Sequence, residues 1–368
     1  MTIFETRLSR IREWMAENGV DVTLVTSPPN VFYLTGFDCH PHERFMALCL
    51  QASGEATLFI PSLEKNEAEK SGFRSAIVTV SDTEDPMEKL RSVVGDGPFG
   101  ALAIEKQHLT VARYEQLQTV FGEAKSVAAE ELLLKMRLQK DAAEIAIMKK
   151  AAQIADRGVE AGINAIAAGK TEAEIVAVIE STMKSHGASG TSFSTIVLGG
   201  EKSALPHGSP GSRVIQAGDL VLLDLGAVYE GYCSDITRTV MVGEPTDQQR
   251  EIYETVLAAN LAGIAATRPG VPAMAIDAAA RETITARGYG EYFTHRVGHG
   301  LGIEVHETPS MHGKNEQELV PGMVFTIEPG VYVPNVGGVR IEDDVLVTED
   351  GVEVLTSYPK ELQILAVK

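Results

Sequence analysis

The sequence is short of cysteine, tryptophan and positive charge, and each shortage narrows the possibilities. Only Cys39, Cys49 and Cys233 occur in 368 residues. Three cysteines far apart build no disulfide framework and fit a reducing compartment, so a cytoplasmic location is expected. No run of eighteen apolar residues occurs, which argues against a transmembrane helix. The opening MTIFETRLSRIREWMAENGVD spaces its apolar residues and interrupts them with charge, as an amphipathic helix does and a signal peptide does not. Lys and Arg total 32 against 51 Asp and Glu, a formal balance of −19. That field repels nucleic acid and anionic membranes, and neither is an expected partner.

What is present describes an ordinary globular chain, 44% apolar and 23% charged, long enough for two or three domains. Residues 1–130 alternate short apolar runs (DVTLVTS, MALCLQ, TLFIP, SAIVTV, ALAIE) with helical patterns near 5–18, 62–72, 84–95 and 110–120. This alternation predicts an α/β domain. Residues 131–140, ELLLKMRLQK, read as a connector, and Asp141 as the N-cap of a long helix ending on Gly169. Over 141–368 the strands come in close pairs between helices predicted near 171–186, 246–267 and 273–287. DLVLLDLGAVYEGYCSDITRTVMV and GMVFTIEPGVYVPNVGGVRIEDDVLVT share one layout, two apolar strands around a glycine-bearing turn. The expectation is an α+β domain, with its two hairpins a faint echo of duplication.

The stretch HRVGHGLGIEVHETP, residues 295–309, holds three histidines. His295 and His299 have the i, i+4 spacing of a helical zinc motif, but no Glu follows the first histidine. Gly298, Gly300 and Gly302 also alternate through it, and glycine costs about 1 kcal/mol each in a helix interior. A loop or strand is predicted, and any metal needs ligands from elsewhere.

Four acids are candidates. Asp224 closes VLLD, Glu328 closes VFTIE, Glu342 follows GVRI, and Asp235 precedes ITRTV. Each belongs to a stretch that should lie in a sheet core, where an ionised carboxylate without a partner shifts its pKa and goes neutral. One such acid is readily structural. Four in two matching hairpins are harder to explain that way, with Arg238 and Arg340 the evident cations nearby. Four carboxylates and a histidine make a mostly oxygen ligand set, suited to hard or intermediate divalent ions such as manganese. Two ions roughly 3.5–4 Å apart, sharing bridging carboxylates, would use all of them, which predicts a dinuclear hydrolase.

In this order, LLDLGA, SDITRT, GHGLGIEVHETP, TIEPG and GVRIED are similar to motifs of the pita-bread metallopeptidases. NVFYLTGF and the α/β N-terminal half narrow the resemblance to the creatinase/prolidase branch, bacterial Xaa-Pro dipeptidases above all, over nearly the whole chain. The resemblance implies a pita-bread catalytic domain with Asp224, Asp235, His299, Glu328 and Glu342 as metal ligands. Asp235 and Glu342 would bridge two divalent ions, Mn2+ first, with Co2+ or Zn2+ tolerated by the same donors. Glu328 matches the general base, and His207 and His306 match histidines that bind substrate and stabilise the tetrahedral intermediate. His295 has no matching role and is expected to be a hydrogen-bonded structural group.

HPHER, residues 40–44, is similar to a bacterial loop reading Asp-Pro-His-Glu-Arg, with His40 in place of Asp. In those homodimers the N-terminal domain of one subunit reaches toward its partner's site, so His42, Glu43 and Arg44 would recognise a dipeptide's charged ends. Ser310 stands where some prolidases carry a carboxylate-clamping arginine, which makes Arg340 the candidate for that anchor or for tuning the metals. The implied reaction is hydrolysis of the peptide bond preceding proline in a small Xaa-Pro peptide, by a hydroxide bridging the two ions. The alternatives are an Xaa-Pro aminopeptidase on longer peptides, a C–N hydrolase on a small non-peptide substrate, and a non-catalytic binding protein.

Overall fold

A computed structural model describes residues 2–366 other than Ser53 and Ala168, in two compact units that divide between Arg137 and Leu138. The N-terminal unit is built on a six-stranded sheet. Its order is Ala76–Val80, Ala56–Pro61, Ala47–Gln51, Val22–Val25, Ala101–Ile104, Lys125–Ala128. Val22–Val25 pairs antiparallel with Ala47–Gln51 and parallel with Ala101–Ile104. These central strands are mostly apolar and, apart from Gln51 at one end, buried, as expected where a sheet is covered on both faces. The helix Ile3–Asn18 starts on a Thr2–Glu5 capping box and stops at Gly19, whose φ of 62° suits glycine.

Two features of this unit depart from the sequence reading. A helix, Pro28–Thr35, starts two residues before NVFYLTGF and runs through most of it, with proline in its first turn and Gly36 at its end. The segment 131–140, read as a connector, is mostly the helix Glu130–Leu138, whose Leu133 and Met136 are buried. Strong helix formers make that helix, and the unit boundary falls at its end.

The second unit repeats one plan. Two helices, Ala142–Ala165 and Glu172–Ser185, pack with Leu220–Leu225 and Ile236–Val242 in one apolar cluster. Two more, Asp247–Ala266 and Ala273–Ala286, pack with Val324–Ile327 and Asp343–Val347 in another. Asp141 does cap the first helix, but the helix ends at Ala165, four residues before Gly169. In each half the two strands are antiparallel, with Thr237 opposite Asp224 and Asp343 opposite Ile327. Each pair encloses a small inner hairpin. One joins Ala227–Tyr229 to Tyr232–Cys233 through Glu230 and Gly231, both at positive φ; the other joins Gly330–Val333 to Gly337–Arg340. This is an α/β domain followed by an α+β pita-bread domain.

Candidate metal centre

The paired strands bring the candidate acids together. Asp224 lies within Leu220–Leu225, and Asp235 immediately precedes Ile236–Val242. Glu328 follows Val324–Ile327, and Glu342 lies between Gly337–Arg340 and Asp343–Val347. The two halves are tied together through the backbone: Glu342 N–H donates to Thr237 O at 3.1 Å. His299 comes from a short strand, Gly298–Gly300, one of the two forms, loop or strand, expected from its glycines. Those glycines are required by space. A Cβ on Gly298 would lie 1.9 Å from Thr326 O, and one on Gly300 would lie 2.1 Å from Thr308 O.

Asp235, His299 and Glu342 each place one ligand atom within 4.8 Å of the others'. His299 Nε2 is 3.8 Å from Asp235 Oδ2 and 3.6 Å from Glu328 Oε1. Its other nitrogen, Nδ1, lies 3.1 Å from Gly300 O, which orients Nε2 toward the acids. Asp224 and Glu328 line the same cavity of about 530 Å³, together with Asp235, His299, Glu342, His207 and His306. His207 and His306 are exposed, and the His306 ring meets the His299 ring edge-on at 4.2 Å.

The electrostatics of this cluster are unfavourable for ionised acids on their own. Burial, then repulsion from Glu342 and Asp224, pushes the Asp235 carboxyl well above its ordinary value. Burial and the charges of Glu328 and Asp224 do the same to Glu342. Burial raises Glu328 to about 7, although Arg340 opposes it. Burial, reinforced by the charge of His306, lowers His299 to about 3, so its imidazole is neutral and free to ligate. Asp224 Oδ1 and Asp235 Oδ1 are buried and have no hydrogen-bond partner among the described residues. Orphaned carboxylate oxygens beside a neutral imidazole fit divalent cations, which satisfy the lone pairs and remove the repulsion.

The surroundings hold the acids in place. Thr237 Oγ1 donates to Glu342 Oε2 at 2.6 Å, and Thr239 bonds the Arg340 backbone rather than a carboxylate. Arg340 uses each of its nitrogens on the protein. Nη2 pairs with Asp224, Nη1 donates to Tyr332 Oη at 2.9 Å, and Nε donates to Thr237 Oγ1 at 3.1 Å. That leaves it poorly placed to anchor a substrate carboxylate. His295 Nε2 lies 3.0 Å from Tyr332 Oη, and Nδ1 lies 2.8 Å from Arg296 O, so His295 is a hydrogen-bonded group at the cavity edge. Cys233 is buried, with its thiol raised to about 12 chiefly by burial.

His42 and Arg44 are placed elsewhere. They line a different cavity formed by N-terminal residues alone, where Arg44 is paired with Asp82 at 2.7 Å. Three residues of the site escaped the sequence reading. Asn260, on Asp247–Ala266, donates to Ile327 O at 3.0 Å and to Ile341 O at 3.3 Å, tying together the segments that carry Glu328 and Glu342. Asp344 accepts the Asp235 N–H at 3.0 Å, and Tyr332 links His295 to Arg340. Only the repeated hairpin layout hinted at Asp344; Asn260 and Tyr332 left no local signal.

A buried carboxylate and histidine cluster beneath a cavity of peptide size, on paired strands backed by helices, defines a metal-dependent hydrolase. The chain belongs to metallopeptidase family M24, whose model matches residues 146–349, and residues 7–139 match the creatinase/prolidase N-terminal domain. It is a peptidase of that family, which implies divalent metal ions. It is 47% identical to a Bacillus subtilis protein provisionally named dipeptidase YkvY, over 98% of this chain and 99% of that one. A prolidase from Pyrococcus horikoshii superposes with a TM-score of 0.91 at 39% identity, covering 97% of this chain and 100% of that one. An X-Pro aminopeptidase from Thermotoga maritima superposes with a TM-score of 0.86 at 35% identity, covering 95% and 98%.

Proposed function

We propose that this protein hydrolyses the peptide bond preceding proline in Xaa-Pro dipeptides. In this reading Asp224, Asp235, His299, Glu328 and Glu342 would hold two divalent ions, with manganese the ion expected in the cell. The observation that carries it is the convergence of these five side chains with His207 and His306 on one cavity of about 530 Å³. The likeness to a prolidase over the full chain supports the substrate class.

Divalent ions in such a site supply Lewis acidity, lowering the pKa of a water nucleophile and polarising the scissile carbonyl. Glu328 takes the proton of the attacking water and delivers it to the prolyl nitrogen as the C–N bond breaks. His207 and His306, at the mouth of the cavity, hold the charge that develops on the carbonyl oxygen. The bond to proline is a tertiary amide and has no N–H to recognise. Selection therefore rests on the pyrrolidine ring, for which Phe193, Ile196 and Val305 provide apolar lining, and on the peptide's charged ends. His42 and Arg44 are proposed to act on those ends. An unchanged KM in His42→Ala would remove that role.

The test is to incubate metal-free protein with and without manganese against Ala-Pro and Ala-Pro-Ala, and to measure free alanine. Manganese-dependent release from Ala-Pro alone is expected. Cleavage of the tripeptide as well would move the protein to the aminopeptidase reading, which the Thermotoga maritima likeness favours as the second choice. No cleavage of either, with metal tightly bound, would point to a small non-peptide substrate. We further read the protein as a cytoplasmic homodimer. Its three buried, unpaired cysteines support the compartment and its resemblance to homodimeric prolidases supports the assembly. Light scattering at single-chain mass would overturn the dimer, and fractionation outside the cytoplasm would overturn the location.

A further inference from the structure

We infer that Arg296 binds the free C-terminal carboxylate of the substrate and thereby sets a preference for peptides that end at proline. The inference rests on the dipeptidase reading of the same cavity. Two guanidinium groups line that cavity, those of Arg296 and Arg340. Arg340 is buried and pairs with Asp224, as well as donating to Tyr332 and Thr237. Arg296 is half-buried and donates only from Nη1, to the neutral Ser310 Oγ at 2.9 Å; among the described residues it bonds no carboxylate. Its planar fork therefore keeps donors in reserve, in the geometry that suits bidentate recognition of a carboxylate.

Position supports the assignment. Arg296 lines the same cavity as His299, His306 and Glu328. The chain on either side is pinned by the Arg281–Asp277 pair on the helix Ala273–Ala286. Arg281 donates to Phe293 O at 3.0 Å and to His295 O at 2.7 Å, and the Val297 N–H donates to Asp277 Oδ1 at 3.1 Å. Val297 O in turn accepts the Glu328 N–H at 2.8 Å. Arg296 thus stands between two fixed residues, in register with the proposed general base, so little ordering is needed on binding. The free carboxylate of a dipeptide is a planar acceptor pair, and of the two lining arginines it is Arg296 whose fork is not already paired with a protein carboxylate. His295 supplies no competing cation, because burial lowers its imidazole to about 4 and keeps it neutral.

The experiment compares Ala-Pro with its C-terminal amide, using manganese-loaded wild type, Arg296→Ala and Arg296→Lys. Loss of a charge-assisted bond should raise KM for Ala-Pro roughly 10- to 100-fold in Arg296→Ala, with kcat changed little. KM for the amide should stay where it is, and Arg296→Lys should recover part of the loss for the acid. Melting temperature and metal content, measured on each variant, identify any loss of fold. If Arg296→Ala misfolds, Arg296→Lys still tests the idea, because losing the fork should raise KM for the acid alone. Equal changes in kcat and in the pH profile for both compounds would mean that Arg296 only shapes the site, and would overturn the inference. An unchanged acid-to-amide KM ratio would overturn it too, leaving the peptidase reading intact. A wild type that cleaves neither compound sinks the dipeptidase reading itself, and the carboxylate clamp with it.

Discussion

Glu342 and Asp343 are adjacent in the chain and both are buried, yet their surroundings differ in kind. Asp343 has its own cations. Arg238 Nη2 donates to Oδ1 at 2.8 Å, Thr356 adds a hydroxyl at 2.9 Å, and Lys360 pairs with Oδ2. Burial pushes this carboxyl up, but Arg238 and Lys360 outweigh it and hold the group below its ordinary value. Glu342 immediately precedes the strand Asp343–Val347 and places its carboxylate near Asp235 and His299. There burial and the charges of Glu328 and Asp224 push it up, with Arg340 opposing only in part. The same chemical group is thus a satisfied structural ion in one position and an unbalanced one in the next. A single residue step along the chain separates the two environments. The difference identifies where the protein supplies its own countercharge and where a bound cation must.

The strongest way to break this contrast is Asp235→Ala. It should abolish both metal binding and hydrolysis, as measured by metal content after dialysis and by alanine release. Its metal-free melting temperature should not fall below that of metal-free wild type, since one member of a repelling group is gone. Manganese should raise the melting temperature of wild type and leave that of the variant unchanged. Asp343→Asn should do the reverse. Arg238 and Lys360 would keep their buried charges without a counter-ion, so chemical denaturation should show a loss of about 3–5 kcal/mol even without metal.

A smaller effect is expected at the rim. His207→Ala should keep full metal content and lower kcat, by about 100-fold if the imidazole stabilises the developing oxyanion. Full activity in that variant would remove His207 from the mechanism. The smallest effect concerns His295, half-buried on the wall of the same cavity and lowered to about 4. Its imidazole in the unfolded chain titrates near 6.5, so as pH falls from 6.5 toward 4 the unfolded state takes up a proton that the folded state refuses. Metal-free protein should lose stability over that window, and His295→Gln should flatten the slope in denaturation curves collected across it.

How much of this was legible in sequence depended on distance along the chain. The metal-ligand candidates stood out because each acid terminates or abuts an apolar run, and such a run reports burial locally. At His299 the alternating glycines argued against a helix and left a loop or a strand open; the structure forms a strand, in which a Cβ at Gly298 or Gly300 would collide with neighbouring backbone. The helix Pro28–Thr35 was not seen, because its eight residues are mostly apolar and show no clear period. The helix Glu130–Leu138 was passed over as a connector for want of length. Arg340, beside Glu342, was read as a candidate anchor because Ser310 stands where some prolidases carry an arginine; in the structure its nitrogens bond Asp224, Thr237 and Tyr332.

The sequence by itself determined the kinds of donor, their order and the strands that carry them, since those follow from local pattern and residue chemistry. Tertiary structure alone decided which charges are already answered. Arg340 finds Asp224 across 116 positions, Asn260 ties Ile327 to Ile341, and among the described residues the Arg296 side chain bonds only a serine. Coulomb and hydrogen-bond energies fall off over ångströms in space, and separation along the chain does not enter them.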